Sequence, residues 1–489
     1  MSADPHSTAN PWRALVAMIV VLASVWILEA ARSDVEITQF DVAQTPVTQY
    51  AHEDGHGSVV VIAHGFAGSQ QMMQGYALPL ARAGYRVFAF EFLGHGRHPN
   101  PMTGDVSTID GTTRLLVDQT AEVIDAVAPD TGLVALLGHS MATDILVRTS
   151  SERKDIGPIV LISAFSKEIT ATQPGNLLLI TGAWEAGLRA FAQQAVQMVN
   201  ADASEGETVT AEDVTRRAIA APFSEHVSVL QSRTGRGEAL AWIDLANART
   251  SNVAILPTGW AILGLLGGLV MIFHAMARLL PLRERTALEL NRKQLVITIS
   301  APLFIAPLIA VPLKPSFLPV LVADYLMLHL LVFGTLQLVL LRIWGLRVGP
   351  VFPSAFFALL ACCAFFGFAL DRYAANFWPT LERFWIIAVI TLGAVPYMVA
   401  DAILSTDASW LRRLMIRGSF LASLGIAVAL DFNALFFLIM IAPVLVLFYV
   451  VFGTMARATA LRSGPLTSGV ALGIVLAWAL GVSFPLFQP

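Results

Sequence analysis

Long apolar runs dominate the second half of this chain and constrain its fold more than any other feature of the sequence. Each of them, at about 17 to 25 residues, is long enough to cross the hydrocarbon core of a bilayer as a helix. Backbone polar groups have no water to bind inside a bilayer, so such segments must form helices. We therefore predict an all-α, multi-pass transmembrane bundle of about eight helices over residues 251–489. The runs cover approximately 253–277, 294–313, 317–341, 351–370, 385–404, 418–433, 434–455 and 466–487.

The number of helices in the bundle depends on how two neighbouring runs are divided. The runs 418–433 and 434–455 meet at Asp431-Phe432-Asn433, which fits either a tight hairpin or one broken segment. Both interpretations stay open from the sequence.

Another apolar run, Ala14 to Ala31, lies near the N-terminus and is interrupted only by Ser24 and Glu29. It is longer than the apolar core of a signal peptide. Glu29 also stands where signal cleavage wants a small residue. We expect a retained signal anchor within residues 1–32, and cleavage would change only the tether.

Basic residues predict the orientation of these helices, because Lys and Arg near helix ends stay on the cytoplasmic side. Alternate loops are rich and poor in basic residues. With the rich loops in the cytoplasm, the helix that starts near residue 253 enters from the other side. Residues 33–250 are therefore predicted to lie outside the cytoplasm, in the periplasm if the source is bacterial. The rich loops hold Arg278, Arg283, Arg285, Arg292 and Lys293, then Arg342 and Arg347, then Arg412, Arg413 and Arg417, then Arg457 and Arg462. The poor loops hold Lys314, Arg372 and Arg383.

Composition supports a membrane protein and argues against some partners. The chain is 56% hydrophobic and 13% charged, against about 25% charged residues in soluble domains. A net charge of −4 offers no basic surface for nucleic acid. The two cysteines, Cys362 and Cys363, are adjacent in an apolar run, so we expect no disulfide in the globular part. The sequence leaves the oligomeric state open.

Residues 33–250 alternate short β-rich runs with helical stretches, the pattern of a mostly parallel α/β sheet. The predicted strands are 58–63, 86–90, 133–137, 158–163 and 176–181, and the predicted helices are 70–83, 112–128, 141–152 and 185–198.

The strongest chemical signal is Gly138-His139-Ser140-Met141-Ala142, which directly follows the strand at 133–137 and precedes a helix. A serine on a sharp strand-to-helix turn needs small residues two positions before and after it, and Gly138 and Ala142 meet that need. The segment has the form of a nucleophile elbow, with Ala142 in place of the usual final Gly.

On these residues the region of about 35–250 resembles the α/β-hydrolase superfamily of esterase, lipase and thioesterase type. His64-Gly65-Phe66-Ala67-Gly68-Ser69 is similar to the family's oxyanion loop. The resemblance implies that the amides of Phe66 or Ala67, with that of Met141, stabilise the oxyanion of a tetrahedral intermediate. Glu91 to Arg97 resembles the family's Gly-His-Gly turn, which shapes the pocket wall.

The resemblance also implies an acid and a histidine in chain order after Ser140. Glu185 follows the strand at 176–181, where the family places its acid, although most members carry Asp there, and Glu168 is the alternative. His226 lies in Pro222 to Ser228, similar to the family's histidine loop, before a closing helix at 237–248. Five other histidines of this region lie before or beside the nucleophile, namely His52, His56, His95, His98 and His139. His64 is interpreted as structural within its loop.

Other polar residues carry weaker signals. Asp144 is interpreted as a solvated or salt-bridged helix residue. No clustered His or Cys suggests a metal and no phosphate loop is present, so we expect no cofactor. Ionisable residues in or near the apolar runs raise a transport or proton-relay hypothesis, against an interfacial position. They are His274, Asp324, His329, Asp401 and Asp431.

Three functions follow as hypotheses. The leading one is a membrane-embedded serine hydrolase that cleaves acyl esters through an acyl-enzyme on Ser140. An acyltransferase would use the same acyl-enzyme, and a transporter or sensor would keep the hydrolase-like region as a non-catalytic binding domain.

The sequence also bears on the substrate. Only 12 residues separate Ser163 from Asn176, too few for the helical cap that many lipases insert there. The bilayer or the bundle would then cover an apolar acyl chain, which favours a lipid-derived ester. The alternative is an open-site esterase for small soluble esters.

Overall fold

A computed structural model describes residues 11–53, 55, 57–103, 105, 108–128, 132–283 and 289–488. The N-terminal tail up to residue 10, His56 and Arg285 lie outside these residues. The described residues fold into two compact units. One is helical and holds the described residues up to Val21, Leu266–Phe368 and Pro379–Phe484. The other holds Leu22–Leu265, Ala369–Trp378 and the chain from Pro485 onward.

The described residues of the second unit form nine strands in one sheet of order β1-β2-β4-β3-β5-β6-β7-β9-β8. The six strands from β4 to β9 in that order are parallel, while β1, β2 and β8 pair antiparallel at the edges. The strands are β1 Val35–Val42, β2 Thr45–His52, β3 Val59–Ala63, β4 Arg86–Phe90, β5 Val134–His139, β6 Ile156–Ile162, β7 Asn176–Gly182, β8 Thr208–Ala211 and β9 Val214–Ala221.

Burial explains which strands the sequence revealed. All five residues of β3 are buried, because helices cover both faces of a parallel sheet and such strands read as continuous apolar runs. The five predicted strands correspond to β3 to β7, which confirms the α/β fold. Prediction missed β1, β2, β8 and β9, where polar residues and exposed positions interrupt the apolar pattern.

Helices pack on this sheet at the predicted places. The core brings Tyr76 and Leu80 of α2 and Leu240 and Ile243 of α6 against the central strands. The helices are α2 Gln74–Arg82, α3 Arg114–Val127, α4 Met141–Ser151, α5 Ala186–Gln197 and α6 Arg233–Ala246. The connection from β6 to β7, all of which is described, contains no helix, as expected for a minimal cap.

Nine helices among the described residues are long and apolar enough to cross a membrane, which indicates an integral membrane protein. One is α1 Pro11–Arg32, and the others follow the hydrolase-like region. The boundary at 431–433 separates two spans, with the short α13 between them. The later helices are α7 Thr258–Met276, α8 Arg292–Leu313, α9 Ala323–Ile343, α10 Pro353–Tyr373, α11 Leu381–Ser405, α12 Trp410–Leu430, α13 Phe432–Leu435, α14 Leu438–Ser463 and α15 Pro465–Ser483.

Small residues allow close packing in the helical unit. A Cβ added at Gly469 of α15 would lie 2.6 Å from the Cα of Val399, and one at Gly473 would lie 2.5 Å from the Cα of Val395. The two glycines sit one helical turn apart, the spacing that lets membrane helices approach backbone to backbone. They therefore fit α15 tightly against α11, the most buried of the spans.

Candidate active site

Ser140 occupies a strained turn between β5 and α4. Its φ of 52° and ψ of −116° lie where residues with a Cβ are uncommon. A Cβ added at Gly138 would lie 2.6 Å from Cδ1 of Leu146 and 3.2 Å from Cβ of Ala142. The turn is closed so tightly that small side chains are needed at both positions, which accounts for the spacing seen in the sequence.

His226 reaches Ser140 from the loop that follows β9. The Nε2 atom of His226 lies 2.9 Å from the Oγ of Ser140, so the hydroxyl can donate its proton to the imidazole. The Nδ1 atom lies 2.6 Å from Oε1 of Glu185. Serine, histidine and carboxylate thus form one continuous hydrogen-bonded chain, the arrangement that activates a serine hydroxyl.

Glu185 is held in place behind the histidine. Its second oxygen accepts hydrogen bonds from the Ser163 hydroxyl at 2.7 Å and the Gly182 amide at 2.6 Å. Burial raises the pKa of the Glu185 carboxyl, but its hydrogen bonds to His226, Ser163 and Gly182 outweigh burial and leave that pKa below its usual value. The carboxylate is therefore ionised at neutral pH.

The alternative acid, Glu168, lies elsewhere. Its carboxylate pairs with Arg148 at 3.0 Å, and the same guanidinium binds Asp144 at 2.8 Å. Of the two candidates, the structure brings Glu185 to His226. Asp144 is salt-bridged, as the sequence interpretation allowed.

The loop after β3 lies directly against the nucleophile turn, because β3 and β5 are neighbours with Ala63 opposite Gly138. A Cβ added at Gly65 would lie 3.0 Å from the Cβ of Ser140. Met141 is the first residue of α4, and the first amides of a helix have no partner within it and carry the positive end of its dipole. The loop that begins at His64 and the start of α4 thus meet at Ser140. The role of Phe66, Ala67 and Met141 as oxyanion donors remains a prediction.

Sequence reasoning assigned no role to His139, which supports the histidine loop. Its Nε2 lies 2.8 Å from the carbonyl oxygen of His226 and can donate to it. Burial, with the nearby His226, lowers the pKa of His139 to about 4, so the ring is neutral and ties the turn at Ser140 to the loop at His226. Its position directly before the serine was the only available signal.

His64 is structural, as its place in the loop suggested. Its Nδ1 can donate to the carbonyl of Gly65 at 2.8 Å, and its Nε2 accepts the amide of Phe92 at 3.1 Å. The ring therefore fastens the oxyanion loop to the loop after β4.

Exposed apolar side chains lie close in sequence to Ser163, Glu185 and His226, at the carboxyl ends of the strands. Phe165 follows β6, Trp184 follows β7, and Phe223 and Val227 flank His226. Their exposed fractions are 59%, 66%, 84% and 52%. We call these four residues the apolar rim. These four side chains leave apolar surface exposed after β6, β7 and β9.

The ionisable residues of the membrane helices each have a local partner in the helical unit. His329 contacts Tyr325 and Ser423, and the carboxylate of Asp401 pairs with Arg417 at 2.9 Å. The carboxylate of Asp324 accepts the amide of Leu318, Asp431 pairs with Lys314, and Nδ1 of His274 lies 2.8 Å from the carbonyl of Val270. The transport hypothesis gains no support from these contacts.

Comparison with known proteins gives a consistent fold assignment. Residues 55–219 match the family described as serine aminopeptidase, S33, a stretch that includes Ser140 and Glu185 and ends before His226. The mostly parallel sheet is therefore typical of the α/β-hydrolase fold, and many apolar helices of membrane length follow it along the chain. No curated protein matches the chain in sequence.

Solved structures of epoxide hydrolases are also similar to part of the chain. The enzyme VrEH1 from Vigna radiata is 25% identical over 27% of this chain and 41% of its own, with a TM-score of 0.23. An epoxide hydrolase from an endophytic Streptomyces is 21% identical over 27% of this chain and 38% of its own, also with a TM-score of 0.23. The chain thus spans about two fifths of the length of these structures.

Proposed function

We propose that this protein is a serine hydrolase that cleaves acyl esters drawn from the membrane. The observation that carries the proposal is the hydrogen-bonded chain from Ser140 through His226 to Glu185. It joins a strained serine to a base and an ionised carboxylate, the combination that acyl transfer needs.

The first half of the reaction forms an acyl-enzyme. Ser140 Oγ attacks the ester carbonyl carbon while its proton passes to Nε2 of His226, and Glu185 stabilises the resulting imidazolium. The negative oxygen of the tetrahedral intermediate is assigned to the amides of Met141 and of Phe66 or Ala67. The intermediate collapses as the leaving alkoxide takes the proton from His226, which releases the alcohol.

The second half returns the enzyme to its starting state. Water attacks the acyl carbon and gives one proton to His226. The tetrahedral intermediate then expels Ser140 Oγ, which recovers that proton, and the carboxylic acid leaves.

The apolar rim supports a substrate with an acyl chain. Burial of apolar chains contributes about 0.8 kcal/mol per CH₂, and Phe165, Trp184 and Phe223 offer such surface beside Ser140. The short β6–β7 connection provides no helical cap over it.

Membrane helices end close to the active-site loops, which supports the membrane as the source of that substrate. The histidine loop runs into Gln231, whose side-chain oxygen accepts the hydroxyl of Thr258, the first residue of α7, at 3.1 Å. The oxyanion loop runs into Gln74, whose Oε1 accepts Nη1 of Arg32, the last residue of α1, at 2.5 Å. Both loops are therefore tied to the ends of apolar helices.

A fluorophosphonate probe tests the reaction class on the full chain. We expect the wild type to be labelled and Ser140→Ala to remain unlabelled. A folded wild type that takes no label would favour the non-catalytic binding domain. Acyl transfer to added alcohol that exceeds hydrolysis would favour the acyltransferase.

The substrate class is tested with esters of two to sixteen carbons and a matched pair of exposed apolar residues. Phe223→Ser should lower kcat/KM for sixteen-carbon esters more than for four-carbon esters. Leu133→Ser should leave both values unchanged. Leu133 is also exposed, but it lies at the amino end of β5, whereas Ser140 follows the carboxyl end. A wild type that turns over four-carbon esters as well as sixteen-carbon esters would contradict a lipid substrate.

The basic-loop asymmetry supports placing the hydrolase domain outside the cytoplasm. A membrane-impermeant thiol reagent should label Asp202→Cys in intact cells, and it should label Arg347→Cys only after permeabilisation. The opposite pattern would reverse the orientation.

A further inference from the structure

Two short segments from the C-terminal half of the chain belong to the same compact unit as the hydrolase sheet. One is Ala369–Trp378, which joins α10 to α11, and the other begins at Pro485. We call the first the clamp loop. The clamp loop contacts the loops that follow β3 and β4, and the C-terminal segment contacts the loop that follows β4.

The clamp loop binds the loop after β4 through an arginine. Nη2 of Arg97 donates to both carboxylate oxygens of Asp371, at 2.7 and 2.6 Å, and Nε donates to Oδ1 of Asn376 at 3.1 Å. Asp371 also accepts the amide of Phe377 at 3.0 Å. The carboxylate of Asp371 thus binds both Arg97 and the backbone of the clamp loop at Phe377.

The position of Asp371 is unfavourable for its own helix. It lies in the last turn of α10, where the helix dipole disfavours negative charge. Its two hydrogen bonds from Arg97 offset that cost, since charge-assisted contacts of this kind are the strong ones. The residue therefore serves the contact with Arg97 rather than the stability of α10.

The same clamp loop binds the oxyanion loop. The amide of Asn376 donates to the hydroxyl of Ser69 at 3.1 Å, and Ser69 is buried at the end of the loop that begins at His64. Asn376 therefore touches both active-site loops, one through its side chain and one through its backbone.

The C-terminal segment fixes the loop after β4 from another direction. Leu486 donates its amide to the carbonyl of Gly94 at 2.8 Å and accepts the amide of Met102 at 3.0 Å. A Cβ added at Gly94, where φ is +73°, would lie 2.3 Å from the carbonyl oxygen of Leu486. The next residue, His95, places its ring 5.7 Å from that of Phe66, so this loop in turn contacts the oxyanion loop.

We propose that Asp371 and Asn376 are positioning residues that hold the oxyanion loop against Ser140 through Arg97 and Ser69. The inference rests on the proposed hydrolase function. Oxyanion donors act only when their distance to the developing charge is correct, and a misplacement of about 1 Å can cost about 100-fold in rate. The loss should therefore appear in kcat rather than in KM.

The test uses the full chain in detergent, with p-nitrophenyl butyrate as substrate and a fluorophosphonate as probe. Asp371→Asn keeps the shape and an acceptor but removes the charge. It should lower kcat and the labelling rate together by about 10- to 100-fold, with KM within about twofold. Rates are normalised to the fraction of chains labelled at saturation, so that misfolded chains do not affect the comparison of rates.

Glu238→Gln is the matched control, because Glu238 forms a similarly half-exposed ion pair with Arg217 away from the active-site loops. It should leave kcat unchanged. Ser69→Ala removes the contact to Asn376 and keeps the Arg97–Asp371 pair, so it should reproduce the loss in kcat by an independent route.

The outcomes separate the two proposals. An unlabelled wild type would overturn the proposed function and this inference with it. A labelled wild type with normal normalised rates in both Asp371→Asn and Ser69→Ala would overturn the inference alone, as would a loss of equal size in Glu238→Gln.

Discussion

Each unit of this protein contains a serine hydrogen-bonded to a histidine, and the two pairs have the same length. His226 Nε2 lies 2.9 Å from Ser140 Oγ in the hydrolase domain, and His329 Nε2 lies 2.9 Å from Ser423 Oγ between α9 and α12. The side chain of His226 is 43% exposed, whereas His329 is 0% exposed. A substrate can reach only the first pair.

The groups behind the two histidines differ as well. Glu185 stands behind His226 as an ionised acceptor, while the hydroxyl of Tyr325 stands 2.8 Å from Nδ1 of His329. Ser140 lies on a strained turn, and Ser423 lies within a regular helix. The two Ser–His contacts therefore share a length but differ in access, in the partner of the histidine and in the backbone of the serine. In the membrane unit the same contact joins two helices.

Replacing the serine of each pair should give the largest difference in activity between the two pairs. Ser140→Ala should lower kcat by about 10⁵-fold or more, because serine and histidine act as one unit. Adding His226→Ala should lower it little further. Ser423→Ala is the matched control and should keep wild-type turnover of p-nitrophenyl butyrate; a loss in Ser423→Ala comparable to that in Ser140→Ala would contradict the assignment.

The residue behind each histidine gives the next largest effect. Glu185→Gln should lower kcat by about 10³- to 10⁴-fold, since the serine and histidine remain but the imidazolium loses its carboxylate. Tyr325→Phe should have wild-type kinetics. Glu168→Gln belongs in the same assay, and an inactive Glu168→Gln beside an active Glu185→Gln would move the acid to position 168.

Acid should weaken the hydrolase domain through His139. Its pKa is about 4 when folded and about 6.5 when unfolded, so the unfolded chain binds more protons between these values. Stability should therefore fall as pH drops from about 6.5 to about 4, by on the order of 3 kcal/mol from this residue. Thermal inactivation of the full chain should show a shallower acid loss in His139→Gln. Parallel curves for the two proteins below pH 6 would rule out this role.

The hydrogen bond between His329 and Ser423 should have the smallest effect on stability. Ser423→Ala should lower the stability of the detergent-solubilised chain by about 0.6 to 2 kcal/mol, the range for hydrogen bonds between membrane helices. Ser140→Ala should not. Denaturant titration followed by tryptophan fluorescence measures both, and equal stabilities in the two variants would show that the contact between α9 and α12 contributes nothing.

Much of this architecture could be predicted because its signals are local. Bilayer thickness fixes the length of an apolar run, so the membrane helices are visible one at a time. The strands β3 to β7 are buried on both faces and form short apolar runs. The small residues around Ser140 follow from the geometry of a single turn. Glu185 was proposed from its place after the strand at 176–181, and His226 from the resemblance of residues 222–228 to the family's histidine loop.

Only the tertiary structure revealed the groups that support these residues. His139 binds the His226 carbonyl, Ser163 binds Glu185, and Asp371 binds Arg97. The edge strands β1 and β8 have exposed positions and little apolar pattern, and polar residues interrupt the apolar pattern of β2 and β9, so prediction missed all four.

The sequence by itself thus determined the class of fold, the membrane helices and a candidate nucleophile, because each depends on periodicity or on spacing within one element. Tertiary structure decided which acid faces His226 and which distant segment holds the oxyanion loop. Asp371 follows Arg97 by hundreds of residues, and no local pattern records a contact across that distance. Such a pair forms only when the chain folds back, since its hydrogen bonds depend on the positions of two elements rather than on the sequence of either one.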